Sequence, residues 1–116
     1  MATVVVLDDD RAMVELLRTL VEDAGHDVVA ATELEDLPAA VRADLVVSDL
    51  MPLRSYRSDA AREWVKRLRA RFAAPVLVVT AHIGALAEAD RLGADAVVAK
   101  PFDVDVLSAT VRDLLP

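Results

Sequence analysis

Acidic, hydroxyl and ammonium side chains stand where four short apolar runs of this 116-residue chain stop. Asp8 and Asp9 follow Thr3–Leu7, Asp49 follows Leu45–Ser48, Thr80 follows 76–79, and Lys100 follows Ala96–Ala99. Carboxylates crowded into one pocket repel one another unless a cation neutralises them. Hard oxygen donors without His or Cys favour magnesium or manganese over zinc. Lys100 is one of only two lysines beside 11 arginines, and a flexible ammonium suits a phosphoryl oxygen or a carboxylate. The Thr80 hydroxyl can donate to a phosphoryl oxygen. Together these groups could hold a divalent cation and a phosphoryl group. Plainer roles exist for each: Asp8, Asp9 and Asp10 as helix caps, Thr80 as an ordinary β-branched strand residue, Lys100 as a solvated loop residue. Capping does not account for Asp49.

The elements that must position these groups alternate. Thr3–Leu7 is an uninterrupted apolar run of the kind buried on both faces of a parallel sheet. Asp10 suits the N-cap of a helix carrying Met13, Leu16, Leu17, Leu20 and Val21 at helical spacing, with Gly25 as its stop. Strands are expected at Asp27–Ala31, 44–48, 75–79 and Ala96–Ala99. Helices are expected at 33–42 (with Pro38 in a first turn capped by Asp36), from Ser58 or Asp59 to about Phe72, at 83–92 before Gly93, and after Asp103. The last would turn Val104, Leu107, Val111 and Leu114 inward. Five strand–helix repeats imply an α/β fold, a parallel five-stranded sheet wound on both faces by right-handed crossovers. In sheets of this type ligands bind at the carboxyl ends of the strands, where strand order reverses. With the order 2-1-3-4-5 that point lies between strands ending in Asp8/Asp9 and in Asp49.

Composition narrows the field. The length suits one domain spanning 1–116, and the chain ends soon after the fifth expected helix, so no second domain is expected. A net charge of −7 argues against a nucleic-acid surface. No cysteine is present, which rules out disulfides and thiolate metal sites. No apolar run approaches the ~20 residues of a membrane helix, and Met1-Ala2-Thr3 leads straight into a strand rather than a signal peptide. A cytoplasmic location is expected.

Over nearly its whole length the chain resembles the receiver domain of two-component response regulators. The resemblance rests on the order and spacing of 6–10 (VLDDD), 44–52 (DLVVSDLMP), 75–81 (PVLVVTA), 93–95 (GAD) and 100–102 (KPF). It implies a flavodoxin-like (βα)5 fold. It also implies that Asp49 accepts a phosphoryl group from a histidine kinase or histidine phosphotransfer protein. Magnesium, with manganese as a substitute, would be held by Asp9, Asp8, Asp49 and the backbone carbonyl of Met51. Lys100 would contact the phosphoryl group, and Thr80 would move toward it. A cis Lys100–Pro101 bond is implied too. Such a domain is not an enzyme in the ordinary sense, since it catalyses only its own phosphorylation and dephosphorylation. It would switch the surface of the fourth expected helix and fifth strand toward an unidentified output protein, and phosphorylation-linked homodimerisation is an allowed outcome.

Three features depart from the family pattern. Pro52 comes one residue early and 53–58 lacks glycine, which leaves Arg54, Tyr56 and Arg57 as a docking surface or a variable loop. Val97 stands where many relatives carry a switching aromatic ring. Met51 and His82, two residues beyond Asp49 and Thr80, flank the expected phosphoryl position, where His82 would tune phosphate lifetime. Two other readings compete. One is a pseudo-receiver that binds partners without phosphorylation. The other is a haloacid-dehalogenase-type phosphatase using Asp8 and Asp10, which leaves Asp49 without a role.

Overall fold

The computed structural model describes residues 1–51 and 53–116; Pro52, and with it the early-proline feature, lies outside the described residues. Strands β1 (Thr3–Leu7), β2 (Asp27–Ala31), β3 (Leu45–Ser48), β4 (Val76–Thr80) and β5 (Ala96–Ala99) form one sheet in the order β2-β1-β3-β4-β5. All four pairings are parallel, as the strand–helix alternation requires. The helices are α1 (Arg11–Asp23), α2 (Ser58–Phe72), α3 (Ile83–Ala87) and α4 (Val104–Leu114). No helix among the described residues is long and apolar enough to cross a membrane.

Successive strand residues point to opposite faces, and the valine-rich runs are apolar on both. Val4, Val6, Leu45, Val47, Leu77 and Val79 pack with Leu17 and Val21 of α1 and Leu107 and Val111 of α4. Val5, Leu7, Val46, Val76 and Val78 pack with Ala61, Trp64, Val65, Leu68 and Phe72 of α2. The helix starts at Asp10 and Asp103 follow expectation. Each carboxylate accepts two backbone N–H groups of the first turn, a cap worth about 1 kcal/mol. Gly25, at φ +95°, follows the C-cap of α1.

Four expectations need correction. The helix expected at 33–42 is a 3₁₀ turn, Leu34–Asp36, followed by irregular chain, so among the described residues four α-helices serve five strands. Pro38 is the reason: a proline drives the residue before it out of the α region, and Leu37 is extended at φ −79°, ψ 141°. Leu34 and Leu37 are buried all the same. In place of helical bonds, the Arg71 guanidinium donates to the carbonyls of Leu34, Leu37 and Pro38 at 3.2, 3.4 and 3.5 Å. Second, neither Ser58 nor Asp59 caps α2. Arg57 holds that position without a side-chain bond, and Asp59 accepts from the adjacent Ala60 N–H at 2.9 Å. Third, the helix at 83–92 breaks at Glu88 (φ −129°, ψ 35°) into the short α3 and a 3₁₀ turn, Ala89–Arg91. Fourth, Val104 and Leu16 face solvent, 46% and 43% exposed, while Leu107 and Val111 are buried and Leu114 is half-buried.

Candidate functional site

Three polar side chains are fully buried among the described residues: Asp8, Ser48 and Thr80. All three sit at strand ends on the same edge. Asp8 follows β1, and Ser48 and Thr80 close β3 and β4. Ser48 is level with Leu7, and Thr80 with Ala99 just before Lys100. Register alone therefore brings the expected groups to one place.

A carboxylate oxygen from each of Asp8, Asp9 and Asp49 lies within 4.8 Å of the others. Asp8 is buried, Asp9 exposed and Asp49 half-buried, which opens the cluster to solvent on one side. The Lys100 ammonium donates to Asp8 Oδ2 at 2.6 Å and to Asp49 Oδ2 at 2.9 Å. The other Asp8 oxygen accepts the Asp10 N–H at 2.9 Å, and Asp49 Oδ1 accepts the Leu50 N–H at 2.7 Å. Burial pushes the Asp8 carboxyl above its ordinary value, only partly offset by the bonds from Lys100 and Asp10. Burial also works against the charge on Lys100, yet its bonds to Asp8 and Asp49 outweigh it and the ammonium is held. One ammonium thus serves acids that remain under-neutralised. That environment suits a hard divalent cation, whose oxygen ligands at about 2.0–2.1 Å for magnesium stand within ~4 Å of each other. Asp8, Asp9 and Asp49 fit that need with a small contraction.

Met51 is 7% exposed in the turn after Asp49. Beside it a cleft of about 420 Å³ opens, lined by Asp9, Met51, Trp64, Arg67 and residues 32–35. Thr80 accepts the His82 N–H on its hydroxyl at 3.1 Å, and its carbonyl accepts the Lys100 N–H at 2.9 Å. The Lys100–Pro101 bond is cis, as the resemblance implied.

The three side chains singled out in the loop at 53–58 do not share one exposure. Arg54 and Arg57 are exposed, but Tyr56 turns inward. Its hydroxyl donates to Glu88, and its ring lies 6.2 Å from that of His82. A Cβ on Gly84 would stand 2.4 Å from the Tyr56 ring, so only glycine admits this approach. Val97 is half-buried and packed into the α2-side core.

Two residues of the site escaped the sequence reading. Ser48 donates its hydroxyl to the Asp49 carbonyl at 2.6 Å and accepts the Trp64 indole N–H at 3.0 Å. The available signal was Trp64 itself: a buried indole needs an acceptor, and this is the chain's only tryptophan.

The family model for the response regulator receiver domain matches residues 4–112. The sensory transduction protein RegX3 of Mycobacterium tuberculosis is 33% identical over 126 residues, covering 99% of this chain and 51% of its own length. The KDP operon transcriptional regulatory protein KdpE of Escherichia coli is 32% identical over 120 residues, covering 97% of this chain and 50% of its own. This chain spans about half the length of these curated relatives. Among solved structures, a response regulator receiver protein from Burkholderia phymatum superposes with a TM-score of 0.76 at 28% identity, covering 98% of this chain and 94% of that one. Full-length FixJ from B. japonicum gives 0.75 at 31% identity, covering 97% of this chain and 57% of that one.

Proposed function

The chain belongs to the response regulator receiver domain family, and on that premise we propose that it is a working phosphoryl acceptor rather than a silent member of the fold. The observation that carries this is the Lys100 ammonium bridging Asp8 and Asp49 beside an acid cluster that one cation leaves under-neutralised.

Asp49 is the acceptor. Its carboxylate oxygen forms a bond to phosphorus while the P–N bond to a donor histidine breaks. The electron pair stays on the imidazole nitrogen, which takes up a proton from solvent. Phosphoryl transfer asks mainly for in-line placement and compensation of oxygen charge. Lys100 supplies a fixed positive charge, and the Leu50 N–H restrains the carboxylate's rotation. Asp8, Asp9, Asp49 and the Met51 carbonyl would hold magnesium or manganese, which supplies further neutralisation of phosphoryl charge. The Thr80 hydroxyl, which accepts the His82 N–H, donates its own hydrogen to a phosphoryl oxygen once the group arrives. The added charge, about two units, then biases the face formed by residues 82–91 and β5, which would meet the output partner. The donor is a histidine kinase or histidine phosphotransfer protein. Outputs run through a protein partner or a second copy, and the charge of −7 favours a domain that does not itself grip nucleic acid.

Intact-mass measurement after incubation with acetyl phosphate and magnesium tests the proposal. Wild type gains one phosphoryl mass and Asp49→Ala gains none. A shift that persists in Asp49→Ala overturns the assignment of the acceptor. No shift in wild type leaves a constitutive interaction module.

A further inference from the structure

The peptide unit joining Asp49 to Leu50 is held at both ends. Its carbonyl accepts the Ser48 hydroxyl at 2.6 Å, and its N–H donates to Asp49 Oδ1 at 2.7 Å. A trans peptide carries C=O and N–H on opposite sides of one rigid plane. Fixing the oxygen therefore fixes the direction in which the N–H points, and with it the rotation of the Asp49 carboxylate. The Ser48 hydroxyl is itself oriented: it accepts the Trp64 Nε1–H at 3.0 Å, which leaves its own hydrogen for the carbonyl. Ser48 is 0% exposed and Trp64 6%, so the bond between them is buried. Donors arranged head to tail in a dry site strengthen one another.

We propose that Trp64 and Ser48 are positioning residues for the phosphoryl acceptor: an indole–hydroxyl–peptide chain that sets the angle of the Asp49 carboxylate from the α2 side, as Lys100 sets it from the β5 side. Oδ1 is pinned through this chain and Oδ2 by the ammonium. Neither new residue meets phosphorus. The role rests on Asp49 being phosphorylated, and it explains why a small hydroxyl residue closes the apolar strand β3. A valine there would keep the strand and lose the bond.

The test uses Ser48→Ala, Trp64→Phe and the double variant of the full chain, with phosphorylation followed by intact mass at saturating acetyl phosphate and magnesium. Ser48→Ala lowers the saturated rate constant about ten-fold, within the range a misplaced reacting group can lose. Trp64→Phe lowers it about three-fold, because the hydroxyl stays but is no longer oriented. The double variant matches Ser48→Ala instead of showing the product of the two effects, as expected of groups acting in series. Magnesium affinity, followed by NMR titration, stays within about two-fold of wild type, whereas loss of a metal ligand would shift it far more. Ser48→Thr, which keeps the hydroxyl, recovers most of the rate. A Ser48→Ala rate within two-fold of wild type, or multiplicative effects in the double variant, overturns the positioning role. Wild type that takes up no phosphoryl group overturns instead the reading on which it rests.

Discussion

On one face of the sheet two capped, full-length helices, α1 and α4, close over Val4, Val6, Leu45, Val47, Leu77 and Val79. On the other, α2 alone runs to length, flanked by the turn at Leu34–Asp36 and the broken segment of α3 and Ala89–Arg91. The first face is built from local capping and helical spacing. The second is held by long-range side-chain bonds: Arg71 to the 34–38 carbonyls, Trp64 to Ser48, Tyr56 to Glu88. Segments with few backbone bonds of their own are the ones that open at low cost. Met51 and Trp64, which line the cleft beside Asp9, and Tyr56, which bonds Glu88, belong to the second face. The lesson is a division of labour, with a stiff backing on one side and a side-chain-latched cover on the other.

The strongest test of this contrast is its converse, that the two cores themselves are equivalent. Leu107→Ala and Leu68→Ala, each removing a fully buried leucine, should each cost about 2–5 kcal/mol in urea unfolding. A much smaller cost for Leu68→Ala would mean that the α2 face is loosely packed throughout. Next in size is Arg71→Ala. It removes one guanidinium from three carbonyls, an expected loss of about 1–2 kcal/mol. Amide exchange should accelerate at Leu37 and Val41, whose bonds close the irregular connection, while α1 stays protected. Acceleration spread evenly over both faces would dissolve the distinction.

Gly84→Ala should be nearly neutral in global stability yet visible locally. Alanine favours the helix by up to about 1 kcal/mol, but its methyl displaces the Tyr56 ring and with it the contact to Glu88. Faster exchange confined to 82–91 is the expected signature, and unchanged exchange there would show that Tyr56 is not a latch. The smallest effect is one of pH. Bonds from Ser58 and then Tyr56 hold the Glu88 carboxyl below its ordinary value, with Arg62 and Arg91 adding positive charge nearby. The Tyr56 hydroxyl is held above its ordinary value by burial and then by Glu88, against the opposing pull of Ser58 and Arg62. A depressed acid contributes stability that is present above its unfolded value, about 4.3, and lost as pH falls through the folded one. Tyr56 ring resonances should therefore hold steady from pH 7 down to about 5 and shift only in acid, with Glu88→Gln removing the acid step. A titration of the ring unaffected by Glu88→Gln would break the link.

How much of this was legible in the residues divides along the same line. Buried parallel strands announce themselves as unbroken apolar runs, and Asp10 and Asp103 stand at the helix starts they cap. The acid cluster, Thr80 and Lys100 were readable because strand ends fix their place. In residues 33–42 Leu34 and Leu37, three apart, satisfy helical spacing and a 3₁₀ turn equally well. Pro38 decided the matter, and the compensating donor lies 37 residues from Leu34 in sequence. Tyr56 and Ser48 were obscure for a related reason: their partners Glu88 and Trp64 are 32 and 16 residues away, and no local pattern records such pairings.

The bond from Lys100 to Asp8 joins residues 92 positions apart. One member leaves the ribosome 92 residues before the other. Until Lys100 arrives, Asp8 and Asp49 have no ammonium between them. Anything that binds only the assembled pocket then acts as a fastener on the whole chain, adding about 2.7 kcal/mol at a hundredfold excess over its dissociation constant. A nascent or clipped chain ending before β5 gains nothing from the same ligand. Occupancy of the pocket is thus a report that the first and last strands have met.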